Sequence, residues 1–216
     1  MCAISLVKNE YVLAPDVLRY KGEAIHHINA NLGSSSSYEC TIGAILLLAG
    51  VEWRTKATAN AQIHLRGIAQ LLRVAEAENR GLSATVRRSV FWQDVNAAVV
   101  GGTNRVLDRA AFPKFLWGRT TFSVDWALLP SGFEDVRDEL DDATVEILQD
   151  VYVLQKHSQT LMCCKFDLEV VHHMDNIQAC IEARVLDRLQ DAEQNKIKTI
   201  VLLTAYLYTY SLFTQI

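Results

Sequence analysis

Two Glu-x-x-His motifs, "EAIHH" and "EVVHH", contain the residues of this sequence best suited to metal chemistry. Two such motifs on different helices supply half of the ligands of a di-iron carboxylate bundle, and those ligands must point into the bundle. In the first motif, Ile25 and Ile28 mark the apolar face of the predicted helix. At about 100° per residue, Glu23 and His27 lie nearly opposite that face. The first motif is therefore not aimed at a bundle interior.

The second motif is placed no better. Apolar residues of its helix recur at helical spacing, at Val170, Met174, Ile177 and Ile181. His173 flanks this face, Glu169 lies further round the helix, and His172 points away from it. We therefore expect solvated Glu–His pairs, with no metal site and no cofactor in this chain. A helical di-metal carboxylate enzyme that uses both motifs is the alternative, and the metal content of the purified protein would separate the two readings.

A third candidate is His64, in the stretch "IHLRGIAQLLR". Apolar residues at helical spacing form one stripe here: Ala57, Ala61, Leu65, Ile68, Leu72 and Ala75. His64 lies at the margin of that stripe, so we predict that its ring bonds to a neighbouring helix or loop.

The sequence contains no nucleophile-elbow or phosphate-loop motif, and Cys163–Cys164 has the apolar context of buried thiols. It thus predicts no catalytic residues, and it assigns no ligand-binding residue.

The composition narrows the classes of protein further. Half of the 216 residues are hydrophobic, which is enough for one sizeable core or at most two small ones, and the net charge is −4. Lysines and arginines are spread along the chain, so we expect no basic face for nucleic acid or for an anionic membrane. The five cysteines are odd in number and lack a C-x-x-C motif, which disfavours a disulfide framework or a cysteine zinc site.

Three prolines and ten glycines favour long helices over a fold with many turns. Periodicity and capping residues predict helices over the following segments: 15–31, from a Ser36–Glu39 capping box to about Gly50, 56–79, from after Ser83 to Gly101–Gly102, from about 135, around 170–189, and from 196 to the chain end. We therefore predict an all-α fold, with residues 1–216 forming a single domain of packed antiparallel helices.

Two parts of the chain need separate predictions. Residues 102–133 lose the helical periodicity, so we expect an irregular middle loop region, packed down by Phe112, Phe115, Trp117 and Trp126. The apolar runs 42–51 and 200–213 are shorter than the ~18–20 residues that span a bilayer. We predict that both runs are buried helices and that the chain does not contact a membrane.

The order of several motifs resembles the fungal-specific transcription factor domain, the helical regulatory region found downstream of binuclear zinc-cluster DNA-binding domains. "AQIHLRGIAQLLR" resembles the His-Leu-x-Gly segment of that family, and "SVFWQDVNAAVV" is similar to its aromatic–Trp–x–Asp helix. "AFPKF" follows in the expected place, and "CTIGAILLLAGVEW" precedes the histidine helix. The segment from "NIQACIEARVLDRL" to "AYLYTYSLF" is similar to the closing helices of the family. The resemblance covers about residues 20–213.

The resemblance implies a non-catalytic domain that regulates a transcription factor in the nucleus. It implies binding of a small effector or of protein partners of the transcription machinery. His64, Gly67, Trp92 and Asp94 would be architectural, with Gly67 allowing a close helix approach and Trp92 filling the core. A helical protein-interaction scaffold unrelated to this family is a further alternative.

The zinc cluster of the family, its basic linker and its coiled coil are missing from these 216 residues. We therefore expect either a fragment or a homologue that has lost its DNA-binding part. Zinc is expected in that DNA-binding domain and not in this chain.

The first prediction concerns DNA. The net charge of −4 and the scattered basic residues supply few phosphate contacts, so we expect no direct, specific DNA binding by this chain. Fluorescence anisotropy with promoter fragments at physiological salt should show no saturable binding below roughly 10⁻⁵ M. A sequence-dependent dissociation constant in the nanomolar range would contradict this prediction.

Overall fold

The computed structural model of the protein describes residues 4–7, 10–13, 15–32, 38–107, 112, 129, 132–161, 168–191 and 195–213. The chain divides into two compact units, Met1–Asp108 and Arg109–Ile216. Helices account for nearly all of the described elements, which confirms the predicted all-α class. The prediction that residues 1–216 form one domain stays a prediction, since the compactness of each unit does not decide it.

The first unit opens with a two-stranded hairpin that the sequence analysis did not predict. β1 (Ile4–Val7) pairs antiparallel with β2 (Glu10–Leu13). Four helices follow: α1 (Pro15–Asn31), α2 (Tyr38–Arg54), α3 (Thr58–Ala77) and α4 (Ala84–Gly101). α2 packs against each of the other three helices, and α3 also contacts α4. The predicted helices of this unit are confirmed, with one difference at the end of α2.

α2 continues past Gly50, where its end was predicted, to Arg54. A Cβ at residue 50 would lie 3.1 Å from the side chain of Gln93 on α4, so the glycine lets α4 approach closely. The carbonyl of Gly50 accepts a hydrogen bond from the guanidinium of Arg54 at 3.1 Å. The predicted end was wrong because this glycine serves helix packing and not helix termination.

Both ends of α4 are capped as their residue types predict. The hydroxyl of Ser83 accepts a first-turn backbone N–H at 3.4 Å, and the backbone N–H and hydroxyl of Ser83 donate to the carboxylate of Glu39 on α2. The predicted capping-box partner of Glu39, Ser36, lies outside the described residues. At the other end Gly102 is left-handed, with φ 56°, and the N–H of Thr103 bonds back to the last turn at 3.0 Å.

The described residues of the second unit form a short 3₁₀ helix and three α-helices. They are Glu134–Glu139, α5 (Asp142–Leu161), α6 (Leu168–Asp191) and α7 (Lys196–Phe213), in agreement with the predicted helices. All three α-helices contact one another around an apolar core: Leu140, Val145, Ile147, Leu148, Val151, Leu154, Met174, Ile177, Ile181, Val185, Val201, Leu202 and Ala205. No helix in the described part of the chain has the length and apolar character needed to cross a membrane.

Asp141 joins the three helices of the second unit. Its carboxylate caps the start of α5 by accepting the backbone N–H of Thr144 at 2.9 Å. It also pairs with Arg188 of α6 and with the ammonium of Lys198 on α7, the latter at 2.7 Å. Burial alone would raise the pKa of Asp141, but the hydrogen bonds from Lys198 and Thr144 bring it well below its ordinary value.

The predicted aromatic packing of the irregular region is confirmed in part. Phe112 is buried, as expected. Phe115, Trp117 and Trp126 lie outside the described residues.

Trp92 does not fill the core, which is a correction to the implied role of this residue. The side chain is half-buried, and its neighbour Phe91 is the buried aromatic residue, at 1% exposure. The two rings meet edge to face, with centroids 5.5 Å apart. Adjacent residues of a helix point in different directions, so a core position and a flanking position can be neighbours in the sequence. A degenerate motif does not determine which of the two aromatic residues faces the core.

The second prediction compares these two aromatic residues. Phe91→Ala should lower the free energy of unfolding by about 3–5 kcal/mol, because it removes a fully buried ring and leaves a cavity. Trp92→Ala should cost clearly less, since part of that ring is already in contact with water. Chemical denaturation of both variants measures the difference. A larger cost at Trp92 than at Phe91 would contradict the observed helix rotation.

Candidate functional site

A tight turn after α2 brings the end of that helix against the start of α3. Lys56 adopts the left-handed conformation, with φ 62°, and the N–H of Ala57 donates to the carbonyl of Glu52 at 2.8 Å. α3 then packs on α2. Asn60 and His64 lie one turn apart on the same face of α3, and both approach the side chain of Glu52.

Glu52 is the centre of a polar cluster that joins three helices. Its side chain is 2% exposed. One carboxylate oxygen, Oε1, pairs with the ammonium of Lys21 on α1 and lies 3.8 Å from Nε2 of His64. The other, Oε2, accepts a hydrogen bond from the amide of Asn60 at 3.3 Å. We call these four residues the Glu52 cluster.

His64 is held mainly in its neutral form. Burial lowers the pKa of the imidazole below its ordinary value of 6.5, and the nearby ammonium of Lys21 adds to that decrease. The carboxylate of Glu52 opposes the shift. A neutral imidazole offers one donor and one acceptor nitrogen, so at neutral pH the ring can hydrogen-bond to a polar group placed beside it. The sequence indicated that His64 lies at the margin of the core. In the structure its ring faces Glu52 on the neighbouring helix α2.

An apolar cleft of about 430 Å³ opens beside His64, between α1, α2 and α3. Its described lining is mostly aliphatic, with three polar side chains: Ile25, Ile28, Asn29, Leu32, Ile45, Leu48, Ile63, His64, Gly67, Gln70, Leu71 and Val74. This volume and this mixture are typical of small-molecule sites, in which apolar walls supply affinity and a few polar groups fix orientation. We call this feature the apolar cleft.

Gly67 lines the apolar cleft and makes no close helix contact. A Cβ at this position would meet no heavy atom within 4 Å. The close approach implied for Gly67 is therefore wrong, because the residue faces open space. A glycine in the middle of α3 costs about 0.5–1 kcal/mol of helix stability relative to alanine, and here it widens the cleft.

Asp94 is placed as a structural residue of the first unit. The residue is 1% exposed, and its carboxylate accepts the backbone N–H groups of Val106 and Leu107 at 2.8 and 3.1 Å. These bonds fix the segment that follows α4. The carboxylate therefore anchors backbone, which is a role that the motif "FWQD" alone does not reveal.

The Glu-x-x-His motifs do not form a site among the described residues. Glu23 and His27 are exposed on α1, as the helical geometry predicted. His173 is half-buried on α6, whereas the side chains of Glu169 and His172 lie outside the described residues. In the described part of the chain, no group of three or more His, Cys, Asp or Glu residues is arranged to hold a metal ion. The prediction of no metal site stays a prediction.

Glu182 is a carboxyl group of the second unit whose pKa is raised, in contrast to that of Asp141. It is 1% exposed on α6 and accepts a hydrogen bond from the amide of Gln178 at 2.7 Å. Burial, with a contribution from Asp175, raises its pKa to about 7, although hydrogen bonds from Gln178 and Tyr206 oppose the rise. Burial and Glu182 also raise the pKa of Tyr206, and Tyr210 contributes to that rise.

Glu182 serves the packing of α6 on α7 rather than a cleft. A cleft of about 270 Å³ between α5 and α7 is lined by Phe133, Leu148, Val151, Tyr152, Gln155, Thr204, Ala205 and Tyr208. Glu182 is not among these described lining residues. Its hydrogen-bond partner Tyr206 belongs to α7, so the bond joins α6 to α7. We therefore assign the carboxyl a structural role.

Three members of the Glu52 cluster were not predicted from the sequence: Lys21, Asn60 and Glu52 itself. Glu52 follows the apolar run "IGAILLLAGV" within the same helix, and a charge in that position is the signal that could have identified a buried carboxylate. Lys21 carries no comparable signal, because a lysine on an amphipathic helix is ordinarily exposed to solvent.

Comparisons of the chain with protein-family models, with curated proteins and with solved structures gave no match. The resemblance to the fungal-specific transcription factor domain rests on the sequence motifs alone.

The third prediction follows from Glu182. A carboxyl with a folded pKa of about 7 and an ordinary pKa of 4.5 binds more protons in the folded state between these values. The stability it contributes is full below pH 4.5 and is lost as the pH rises through 7. The wild type should therefore lose roughly 3 kcal/mol of unfolding free energy relative to Glu182→Gln between pH 4.5 and pH 8.

Urea denaturation of both proteins across this pH range measures that difference. Glu182→Gln is a close isostere that cannot ionise, so contributions from other titrating groups cancel between the two proteins. Parallel pH profiles would contradict the protonation of Glu182 in the folded state.

Proposed function

We propose that this chain is a non-catalytic regulatory domain of the fungal transcription factor type, and that it binds a small effector in the apolar cleft. The proposal joins the sequence resemblance to one structural observation, the cleft of about 430 Å³ with the neutral ring of His64 in its lining. Such a domain acts in the nucleus and relays effector binding to the rest of a transcription factor or to its protein partners.

The chemistry of the cleft defines the effector that it suits. Nine of its twelve described lining residues are Ile, Leu, Val or Gly, and the remaining polar groups are Asn29, His64 and Gln70. None of the described lining residues carries a fixed charge. The preferred ligand is therefore an uncharged, largely apolar molecule that carries one or two hydrogen-bonding groups.

α1 is the element through which binding would be relayed. None of its residues is buried, so the helix depends on partial contacts with its neighbours. Its residues Ile25 and Ile28 line the cleft together with Leu32, which directly follows the helix, and Lys21 ties the helix to Glu52. A ligand in the cleft would cover these apolar side chains and stabilise the docked helix. The ligand would bind more tightly when α1 is docked than when it is not, and this difference in binding free energy is what would drive regulation.

The fourth prediction tests the cleft with N-phenyl-1-naphthylamine, an uncharged dye that fluoresces in apolar sites. Wild-type protein should bind the dye saturably, and Gly67→Leu should abolish saturable binding because its side chain fills the cleft. Gly22→Leu is the matched control, because Gly22 is exposed on α1 and also has open space around it. Both variants should fold, since leucine is a better helix former than glycine. Equal dye binding by the two variants would contradict the proposed ligand site.

A reporter assay with the full chain fused to a heterologous DNA-binding domain tests the regulatory role itself. The wild-type fusion should change reporter expression, and the size of that change should depend on the culture conditions that supply the effector. The Gly67→Leu fusion should lose this dependence on culture conditions. The Gly22→Leu fusion should behave as the wild type does. Reporter expression that matches the DNA-binding domain alone would contradict a regulatory function.

A further inference from the structure

A second cleft, of about 660 Å³, lies between α3 and the segment that follows α4. Its described lining contains three arginines and four uncharged polar residues, with a small apolar remainder: Gln62, Arg66, Ala69, Gln70, Arg73, Thr103, Asn104, Arg105 and Val106. No Asp or Glu is found among these described lining residues. We call this feature the arginine cleft.

Two of the three guanidinium groups are available to a ligand. Arg66 and Arg73 are exposed on α3, two helical turns and roughly 10 Å apart along its axis. Arg66 makes a long contact of 3.5 Å with the amide oxygen of Gln62, and no carboxylate among the described residues pairs with Arg66 or Arg73. The chain has a net charge of −4, yet the described lining of this cleft carries a local excess of positive charge.

The opposite wall of the arginine cleft is fixed in place. Thr103 accepts a hydrogen bond from the amide of Gln62 at 2.7 Å, which ties the wall to α3. The carboxylate of Asp94 holds the backbone at Val106 and at the residue after it. Arg105 lies between these two anchors, and its Nη1 atom is buried. The cleft is therefore largely preformed, which lowers the entropic cost of binding.

We propose that the arginine cleft binds a small phosphate-bearing molecule. The planar guanidinium matches a phosphate group with paired hydrogen bonds, and the available guanidinium groups of Arg66 and Arg73 line a cleft whose volume is typical of small-ligand sites. The side chains of Gln62, Gln70 and Asn104 offer both donors and acceptors to the uncharged part of such a ligand. The site lies apart from His64 and the Glu52 cluster, and the proposal does not depend on the proposed function.

Isothermal titration calorimetry with pyrophosphate and with adenosine 5′-triphosphate tests this site, and adenosine serves as the uncharged comparison. Wild-type protein should bind both phosphate compounds, more weakly as salt is raised, and should not bind adenosine. The double variant Arg66→Gln/Arg73→Gln should bind at least about 10-fold more weakly, the expected effect of losing charge-assisted hydrogen bonds. Its thermal stability should be unchanged, because both side chains are exposed.

The matched control is Arg19→Gln/Arg87→Gln, which removes the same charge from α1 and α4 outside the arginine cleft. It should bind both phosphate compounds as the wild type does, and so should Gly67→Leu, because Gly67 lines the apolar cleft and not the arginine cleft. Three results would overturn the proposal: no heat of binding for the wild type at millimolar ligand, equal weakening in both double variants, or binding of a DNA duplex at the cleft without binding of either small phosphate compound.

Discussion

The carboxylate of Glu52 imposes the main constraint on the first unit, because a buried charge is costly unless it is paired and hydrogen-bonded. Lys21 of α1 supplies the ion pair, and Asn60 of α3 supplies the hydrogen bond. These partners can reach Glu52 only if both helices pack at the end of α2. Specific packing of the three helices is therefore linked to the neutralisation of one side chain. The apolar cleft lies between the helices that the Glu52 cluster joins.

The second unit uses the same physical device with a different geometry. Arg184 of α6 pairs with Asp150 of α5, whose side chain is 1% exposed. Asp141, at the start of α5, forms ion pairs with Arg188 of α6 and Lys198 of α7. Each acid pairs with residues 34 to 57 positions away in the sequence, and each is stabilised by charge-assisted hydrogen bonds. The apolar core of this unit drives packing without much directional preference, and the ion pairs add the orientation.

α3 is the element on which both proposed ligand sites depend. The apolar cleft and the arginine cleft share Gln70, and the remaining α3 residues of each cleft fall on two adjoining strips of the helix. One strip meets α1 and α2, and the other meets the segment after α4. A single helix of twenty residues thus presents apolar and basic chemistry to two different environments. Uncharged and anionic ligands would accordingly be distinguished by which side of α3 they occupy.

The sequence determined the helices of this protein, because helical periodicity and end signals such as Pro15, Ser83 and Gly102 act between residues close together in the chain. It also indicated that His64 lies at the margin of a core. The partners of His64, the half-buried position of Trp92 and the open space at Gly67 were decided by the tertiary structure, since helix rotation and helix pairing determine them. The same holds for the arginine cleft. Arg66 and Arg73 of α3 line one cleft with Arg105 because Asp94 anchors the segment after α4, and the spacing of these arginines in the sequence does not indicate that arrangement.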